Sequence, residues 1–357
     1  MNRIRVCIIG AGNISNTRHI PAILKNANID IVGVISNDAK KIERTNKKYN
    51  IENNLVIDND KDIVEQLNMC SWFMNNVDAV IIGTPPREHF KMVKACLTLK
   101  KHTLVEKPMM MSLKECDEVI QISQKNKLTL YVMHSFQYSN GILEMEKRLK
   151  SGEFGKIESI LELQLTNRRR RLPIWYNDLP LGLYYDEAAH FFYTAMNLGG
   201  ELEVKNASAQ FNDKQENTPK FMQAQLKAGD IPLQMFMNFN SPICEWGVLV
   251  LCDKKVAIYD FFKDILIVID NDDLHLAKNV LKVSLQFTYG FWKGFIKNGF
   301  KMINKSLLYG HDRCIESFVK SINTGEIDNK LSATTGRKVV KAMNEVVDKI
   351  NMEESKC

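Results

Sequence analysis

Val105-Glu106-Lys107-Pro108 places a lysine between an acid and a proline, directly after a short apolar run. Further along, Gly182 to His190 (GLYYDEAAH) sets Asp186 four residues ahead of His190. These residue types suit the oxidation of a secondary alcohol. Such a reaction needs the hydroxyl proton removed as hydride leaves the carbon, and histidine, titrating near neutrality, serves in both directions. A lysine close by steadies the developing alkoxide. Asp186 and His190, four apart on a helix, share one face. Something must take the hydride, and Arg3 to Ser15 (RIRVCIIGAGNIS) supplies a candidate, an apolar run that breaks into a glycine-rich turn. Taken singly, Lys107 reads equally well as a solvated strand-end lysine and His190 as a satisfied core histidine. In this order along the chain they read instead as a nicotinamide-dependent dehydrogenase acting on an alcohol carbon. No metal is expected there, because His190 has no second histidine or cysteine at ligand spacing.

The turn Gly10-Ala11-Gly12-Asn13-Ile14-Ser15 follows a strand and opens a helix, the context a dinucleotide site requires. Gly10 permits the tight turn, and Gly12 lets the backbone approach a pyrophosphate on the helix N-terminus. Ser15 stands at the third glycine position and is still small. An NAD site commonly carries an acid at the end of the second strand, for the ribose hydroxyls. Here Ser36 and Asn37 occupy that end, followed by Asp38, Lys40 and Lys41. A hydroxyl, an amide and two lysines favour the 2′-phosphate of NADP over NAD by a narrow margin. The other readings are that Asp38 reaches the ribose and that the lysines are a solvated helix face.

Around these motifs the elements follow two grammars. Apolar runs at 3–9, 29–36, 77–83, 103–105 and 128–133 alternate with helical patterns at 14–27, 38–49, 89–99 and 112–126. Ser112 opens the last of these with Glu115 three residues on, a capping box. Continuous apolar strands alternating with helices imply a doubly wound parallel sheet over residues 1–135. From residue 136 to 357 alternating apolar and polar runs follow one another at 157–166, 202–211, 220–228, 231–240, 246–251, 255–261 and 264–269. That pattern implies a large, open, mostly antiparallel sheet, supported by helices at 140–151, 186–198, 311–324 and 333–352. The fold class expected is α/β in two domains, with substrate in the cleft between them.

Composition excludes several classes. The 357 residues are 45% hydrophobic and 25% charged, ordinary values for a globular protein. Eight scattered cysteines without a CxxC pair suit a reducing cytoplasm, and no signal peptide is recognisable. No eighteen-residue apolar run spans a membrane. A net charge of +6 is too diffuse to argue for nucleic acid.

Several stretches now coincide: the glycine turn, Thr84-Pro85-Pro86 with His89, Glu106-Lys107-Pro108, Ser151-Gly152-Glu153-Phe154-Gly155, and Asp186 with His190. With Phe318, Ile322, Gly325, Ser332 and Gly336 closing the pattern, nearly the whole chain resembles the glucose–fructose oxidoreductase, inositol dehydrogenase and rhizopine-catabolism (Gfo/Idh/MocA) family. The resemblance implies a Rossmann domain, a second α/β domain, a sugar or cyclitol substrate, and a homo-oligomer, dimer or tetramer. It also implies that Lys107 bridges substrate hydroxyl and nicotinamide ribose, that His190 is the acid/base and that Asp186 is its neighbour on the substrate. Gly10, Gly12, Asn13, Ile14, Ser36, Asn37, Thr84, Pro85, His89, Glu106 and Lys107 would contact the cofactor, and Trp175 the substrate. Tyr184, Tyr185, Glu187 and Ala188 replace the small residues usual around the Asp/His pair, so the family's pocket shape does not carry over.

Two basic stretches remain. Arg168 to Arg171 reads as a solvated loop or as an anchor for a substrate phosphate or carboxylate. Lys293, Lys297, Lys301 and Lys305 recur every four residues among Phe291, Trp292, Phe295, Ile296, Phe300 and Ile303, with no acid between Leu274 and His311. Glycines 290, 294 and 299 weaken that helix. An amphipathic insert packed on the sheet, or a subunit interface, is expected before membrane contact. The competing functions are a reductase of a non-sugar carbonyl or unsaturated ring, and a sugar- or dinucleotide-sensing protein without chemistry.

Overall fold

Six parallel strands build the sheet that carries the glycine turn. They are β1 (Ile4–Ile9), β2 (Ile29–Ser36), β3 (Asn54–Val56), β4 (Ala79–Ile82), β5 (His102–Val105) and β6 (Leu130–Val132). Their spatial order is β3-β2-β1-β4-β5-β6, the order of a Rossmann domain. The computed structural model describes residues 3–167, 174–212, 217–304 and 306–354. Every position of β4 is buried, as a strand covered on both faces must be. The order reverses between β1 and β4, and at such a switch point the crevice beyond the strand ends receives ligands. Gly10, Gly83-Thr84 and Glu106-Lys107 follow directly on β1, β4 and β5. Ser112 and Glu115 form the expected capping box on the helix Leu113–Lys125.

Two compact units share the chain. The first is Met1–Ser135 with Gly310–Lys341, the second Phe136–Tyr309 with Ala342–Cys357. Residues 310–341 were expected in the second domain, and the structure gathers them with the first. The reason lies in β6. The Val132 amide donates to Leu331 O at 2.8 Å, and Tyr131 bridges Ser332 in antiparallel fashion. The Tyr131 and Ser321 hydroxyls are 2.6 Å apart, and a Cβ on Gly336 would stand 2.6 Å from Val132. An amphipathic pattern says that a helix buries a face, not which sheet covers it.

The second unit holds seven strands: β7 (Ile157–Asn167), β8 (Leu202–Gln210), β9 (Phe221–Ala228), β10 (Ile231–Ser241), β11 (Glu245–Cys252), β12 (Lys255–Asp260) and β13 (Ile265–Asp270). Their order is β13-β12-β11-β7-β10-β9-β8. Only β7 and β10 run parallel; the other neighbours are antiparallel. On β7, Ile160, Glu162, Gln164 and Thr166 are buried, while Leu161 and Leu163 on the other face are exposed. The helices Asn140–Lys150 and Ala189–Gly199 pack on this sheet. A long helix, Ala277–Ile303, packs on β13.

Candidate active site

The two glycines of the turn do different work. Gly10 has φ +97°, and a Cβ there would lie 2.8 Å from Gly83 O and 3.1 Å from Thr84 N. Gly12 has nothing closer than Gly83 O at 4.0 Å, so its side faces open space. Gly10 therefore serves the packing of β1 against β4, and Gly12 leaves room for something outside the protein. Ser15, at the third glycine position, is buried and donates from Oγ to Gly10 O at 2.5 Å. The close approach a third glycine would give is supplied from across the sheet by Gly83, whose Cβ would stand 2.8 Å from Ser15 Oγ. Asn16 braces the turn, its Nδ2 donating to Ala11 O and Gly12 O. The helix that follows winds wide over Ser15–His19 before Ile20–Ile23 tightens. Pro21 has no N–H for an i−4 bond, which disfavours regular winding just there. On the opposite wall, Thr84 Oγ1 is buried without a hydrogen-bond partner. Open space at Gly12 and an unpaired hydroxyl at Thr84 fit a polar ligand such as a dinucleotide.

At the end of β2, Ser36 is buried and its Oγ accepts from the Asp38 amide at 3.4 Å, while Asn37 is exposed. Asp38 caps the helix Ala39–Tyr49, accepting from the Lys41 amide at 3.1 Å, and pairs with Lys41 Nζ at 3.3 Å. The backbone bond from Lys41 holds the Asp38 carboxyl below its ordinary range. Asp38 is thus already engaged by its own helix, and so is Lys41.

Behind Lys107 lies a buried charge. Glu106 Oε1 meets His19 Nε2 at 2.8 Å and His311 Nε2 at 3.8 Å, while Oε2 accepts from the Lys107 amide at 3.2 Å. Burial pushes the Glu106 carboxyl up, but the His19 hydrogen bond and the nearby His311 ring outweigh it and hold the group well below the usual range. Burial in turn lowers His19, against the pull of Glu106. The three groups bring possible metal-ligand atoms within 4.8 Å of one another. The 2.8 Å contact is a hydrogen-bond distance, so Glu106 and His19 satisfy each other directly. Neither His19 nor His311 was singled out in the sequence, because nothing in their local pattern announces a partner so distant. His89 is fully buried, with Nδ1 2.8 Å from Pro108 O and Nε2 2.9 Å from Thr84 O. It ties the loop carrying Thr84 and Pro85 to the segment carrying Lys107. Thr84, Pro85 and Lys107 are themselves half-buried.

In the second unit, Asp186 ends a short helix, Leu183–Glu187, and His190 begins the helix Ala189–Gly199. The single helix expected over 186–198 is divided at Ala188, whose φ and ψ remain α-helical. Both side chains are half-buried. His190 Nδ1 is 2.7 Å from the Tyr193 hydroxyl, which accepts from the Phe136 amide at 3.1 Å. Phe136, near perpendicular, and Trp246, tilted, flank the ring, with centroids 4.9 and 5.7 Å away. One imidazole nitrogen is therefore anchored and the ring plane fixed, which orients Nε2 away from Tyr193. Tyr193 was not foreseen, although its spacing of three from His190 is a helical neighbour's. Tyr184 and Tyr185 turn into the core, the first donating to Met343 O at 3.1 Å and the second to Asn344 Oδ1 at 2.7 Å. Glu187 is buried, bonded to Gln164 and, at 3.1 Å, to Thr166. Glu162 is buried with neither oxygen partnered, and burial raises its carboxyl well above the ordinary range. Trp175, half-buried, lies on the turn Ile174–Asp178. Arg168 to Arg171 fall outside the described residues.

Residues 4–134 match the model of a family described as oxidoreductase family, NAD-binding Rossmann fold. A 1-carboxy-3-chloro-3,4-dihydroxycyclohexa-1,5-diene dehydrogenase from Comamonas testosteroni is 31% identical over 118 residues, 32% of this chain and 30% of that protein. The myo-inositol 2-dehydrogenase of Thermotoga maritima is 28% identical over 135 residues, 38% of this chain and 39% of that one. The match thus spans well under half the length of either relative. Among solved structures, a variant 3-ketoreductase from Actinomadura kijaniata, in complex with TDP-benzene and NADP, superposes with a TM-score of 0.75 at 15% identity, covering 98% of each chain. At that identity the likeness concerns the fold.

Proposed function

We propose, for a chain whose residues 4–134 match the Gfo/Idh/MocA family model, an NAD(P)-dependent oxidoreductase that interconverts a secondary hydroxyl and a ketone. Its substrate class is a sugar, glycoside, sugar nucleotide or cyclitol. The observation that carries the reading is the open side of Gly12 beside the unpaired Thr84 hydroxyl, at the switch point of a Rossmann sheet. In support, the relatives named above act on ring diols and inositol by their names, and a fold neighbour is a ketoreductase.

In this reading the amides of Gly12, Asn13 and Ile14 hold the pyrophosphate, with Thr84 and Pro85 along the opposite wall and Ser36 and Asn37 at the adenosine ribose. The bound dinucleotide supplies the hydride exchange. His190 takes the hydroxyl proton at Nε2 during oxidation and returns it during reduction, while Tyr193 holds Nδ1. Lys107 binds the substrate oxygen and stabilises its negative charge. Asp186 and Trp175 position the ring, and Glu106 holds the Lys107 backbone. Mixing the protein with NAD(P) and a panel of sugars, glycosides, sugar nucleotides and cyclitols should generate reduced nicotinamide absorbance with at least one. No turnover in either direction across the panel would overturn the assignment.

We assign NADP ahead of NAD. The end of β2 offers Ser36 and Asn37, and the one acid nearby, Asp38, is committed to its helix and to Lys41. Titration calorimetry should give tighter NADP binding, and tighter NAD binding would reverse the assignment. We also propose that the uncovered sheet face forms a homo-oligomer. Leu161 and Leu163 are 42% and 43% exposed there, with Leu249 and Phe236 beside them in register. Light scattering should show a dimer or tetramer at micromolar concentration, and Leu161→Glu with Leu163→Glu should yield monomer. A monomeric parent protein refutes this part alone.

A further inference from the structure

The helix Ala277–Ile303 is built inside out. Its side toward the protein carries Gln286, Gly290, Gly294 and Asn298, one every four residues. Gln286 donates to Asp270 at 2.7 Å, and Asn298 Nδ2 donates to Asp264 O at 2.6 Å. A Cβ on Gly294 would stand 2.7 Å from Ile265 Cγ2, and one on Gly290 3.3 Å from Ile267 Cγ2. Two of the three glycines that looked like helix breakers, Gly290 and Gly294, are thus the places where the helix lies against β13, while Gly299 has open space beside it. The outward side is the apolar one. Leu281, Leu285, Trp292, Ile296 and Phe300 are between 54% and 70% exposed. Of the 22 large apolar side chains exposed among the described residues, 13 fall between Leu274 and Ile303. A soluble amphipathic helix turns these faces the other way.

Charge decides what this face meets. Leu274 to His311 contains six lysines and no acid. Of the 48 Lys and Arg in the chain, the 42 outside this stretch equal the 42 Asp and Glu, so the whole net charge of +6 resides here. Lys293 and Lys297, four residues apart, are exposed along one border of the apolar side, while Lys282 pairs with Asp270 at 3.1 Å. A second copy of the chain docking helix to helix would bring like charges together with no acid on the stretch to answer them. A surface of anionic lipid supplies the missing charge, and it accepts aromatic and aliphatic side chains at its headgroup boundary while lysines reach the phosphates. No helix among the described residues is long and apolar enough to cross a membrane. We propose that Ala277–Ile303 is an interfacial helix that docks the protein, in the plane of the surface, on membranes containing anionic lipid.

The test is flotation of the full-length protein with vesicles of phosphatidylcholine alone or doped with phosphatidylglycerol. Doped vesicles should carry the protein upward, neutral ones far less, and salt should weaken the binding. Each lysine near an anionic surface is worth roughly fivefold in affinity. Lys293→Glu with Lys297→Glu should therefore lower binding about 25-fold or more. Trp292→Glu with Phe295→Glu should abolish flotation, and because both side chains face outward the melting temperature and oligomeric state should hold. No flotation of the parent protein with doped vesicles overturns the proposal. So does a parent that stays in solution and an oligomer that falls apart on Trp292→Glu with Phe295→Glu, which would assign the face to a second copy.

Discussion

A Gly12→Val protein is expected to fold with an unchanged melting temperature and to bind dinucleotide roughly 10- to 100-fold more weakly. The new side chain points into open space, since a Cβ there has Gly83 O at 4.0 Å as its nearest neighbour outside the turn. It fills the space through which a pyrophosphate reaches the amides of the helix N-terminus. Losing one hydrogen bond to a charged group costs about 1.5–3 kcal/mol, and each 1.4 kcal/mol is tenfold in affinity. Gly10→Ala should behave in the opposite way. Its φ of +97° and the 2.8 Å approach to Gly83 O mean that a methyl group strains the turn itself. A stability loss of about 1–3 kcal/mol is expected, seen by thermal unfolding without ligand. Dinucleotide binding by Gly12→Val as tight as the parent's would remove the pyrophosphate from this turn.

His190→Asn should lower turnover by roughly 10²–10⁴-fold, the range of a positioned acid/base. Lys107→Met should cost roughly 10²–10³-fold, as the loss of a charge-stabilising donor does. Both should leave dinucleotide affinity nearly unchanged. Asp186→Asn should cost less than either if it positions the sugar ring. Tyr193→Phe makes a sharper comparison, because it removes the anchor of His190 Nδ1 and leaves the Phe136 amide without its acceptor. The measurement is single-turnover hydride transfer, with folding checked by circular dichroism. A His190→Asn rate within threefold of the parent would show that His190 serves the core or the binding of substrate, and that the proton is handled elsewhere.

What could be read without coordinates was local. The strand Ala79–Ile82 and the turn Gly10–Ser15 announce themselves through contiguous residues, so sheet, turn and capping box were legible. The strand Asn54–Val56 was missed because three residues of mixed polarity carry no period. Gly83, His19 and His311 were missed because each matters only through a residue far along the chain. The helix Ala277–Ile303 was hard for a different reason. Reading buried faces assumes that apolar side chains turn inward, and here glycine, glutamine and asparagine do.

The buried Glu106 is answered by His19, 87 positions before it, and by His311, in the last fifth of the chain. The same late segment gives β6 its edge partner, through Leu331 and Ser332, and clasps Asp117 with Arg337 at 2.9 Å. The half built on the six-stranded sheet is therefore not a detachable module. A ribosome delivers residues 1–135 with the Val132 amide, the His134 ring and one side of a buried carboxylate still awaiting groups that emerge only after the second sheet has been made. Grafting this half onto another enzyme, or expressing it alone, requires two cuts and a linker in place of residues 136–309. A single cut at Ser135 would leave an open edge and a buried charge short of one ring.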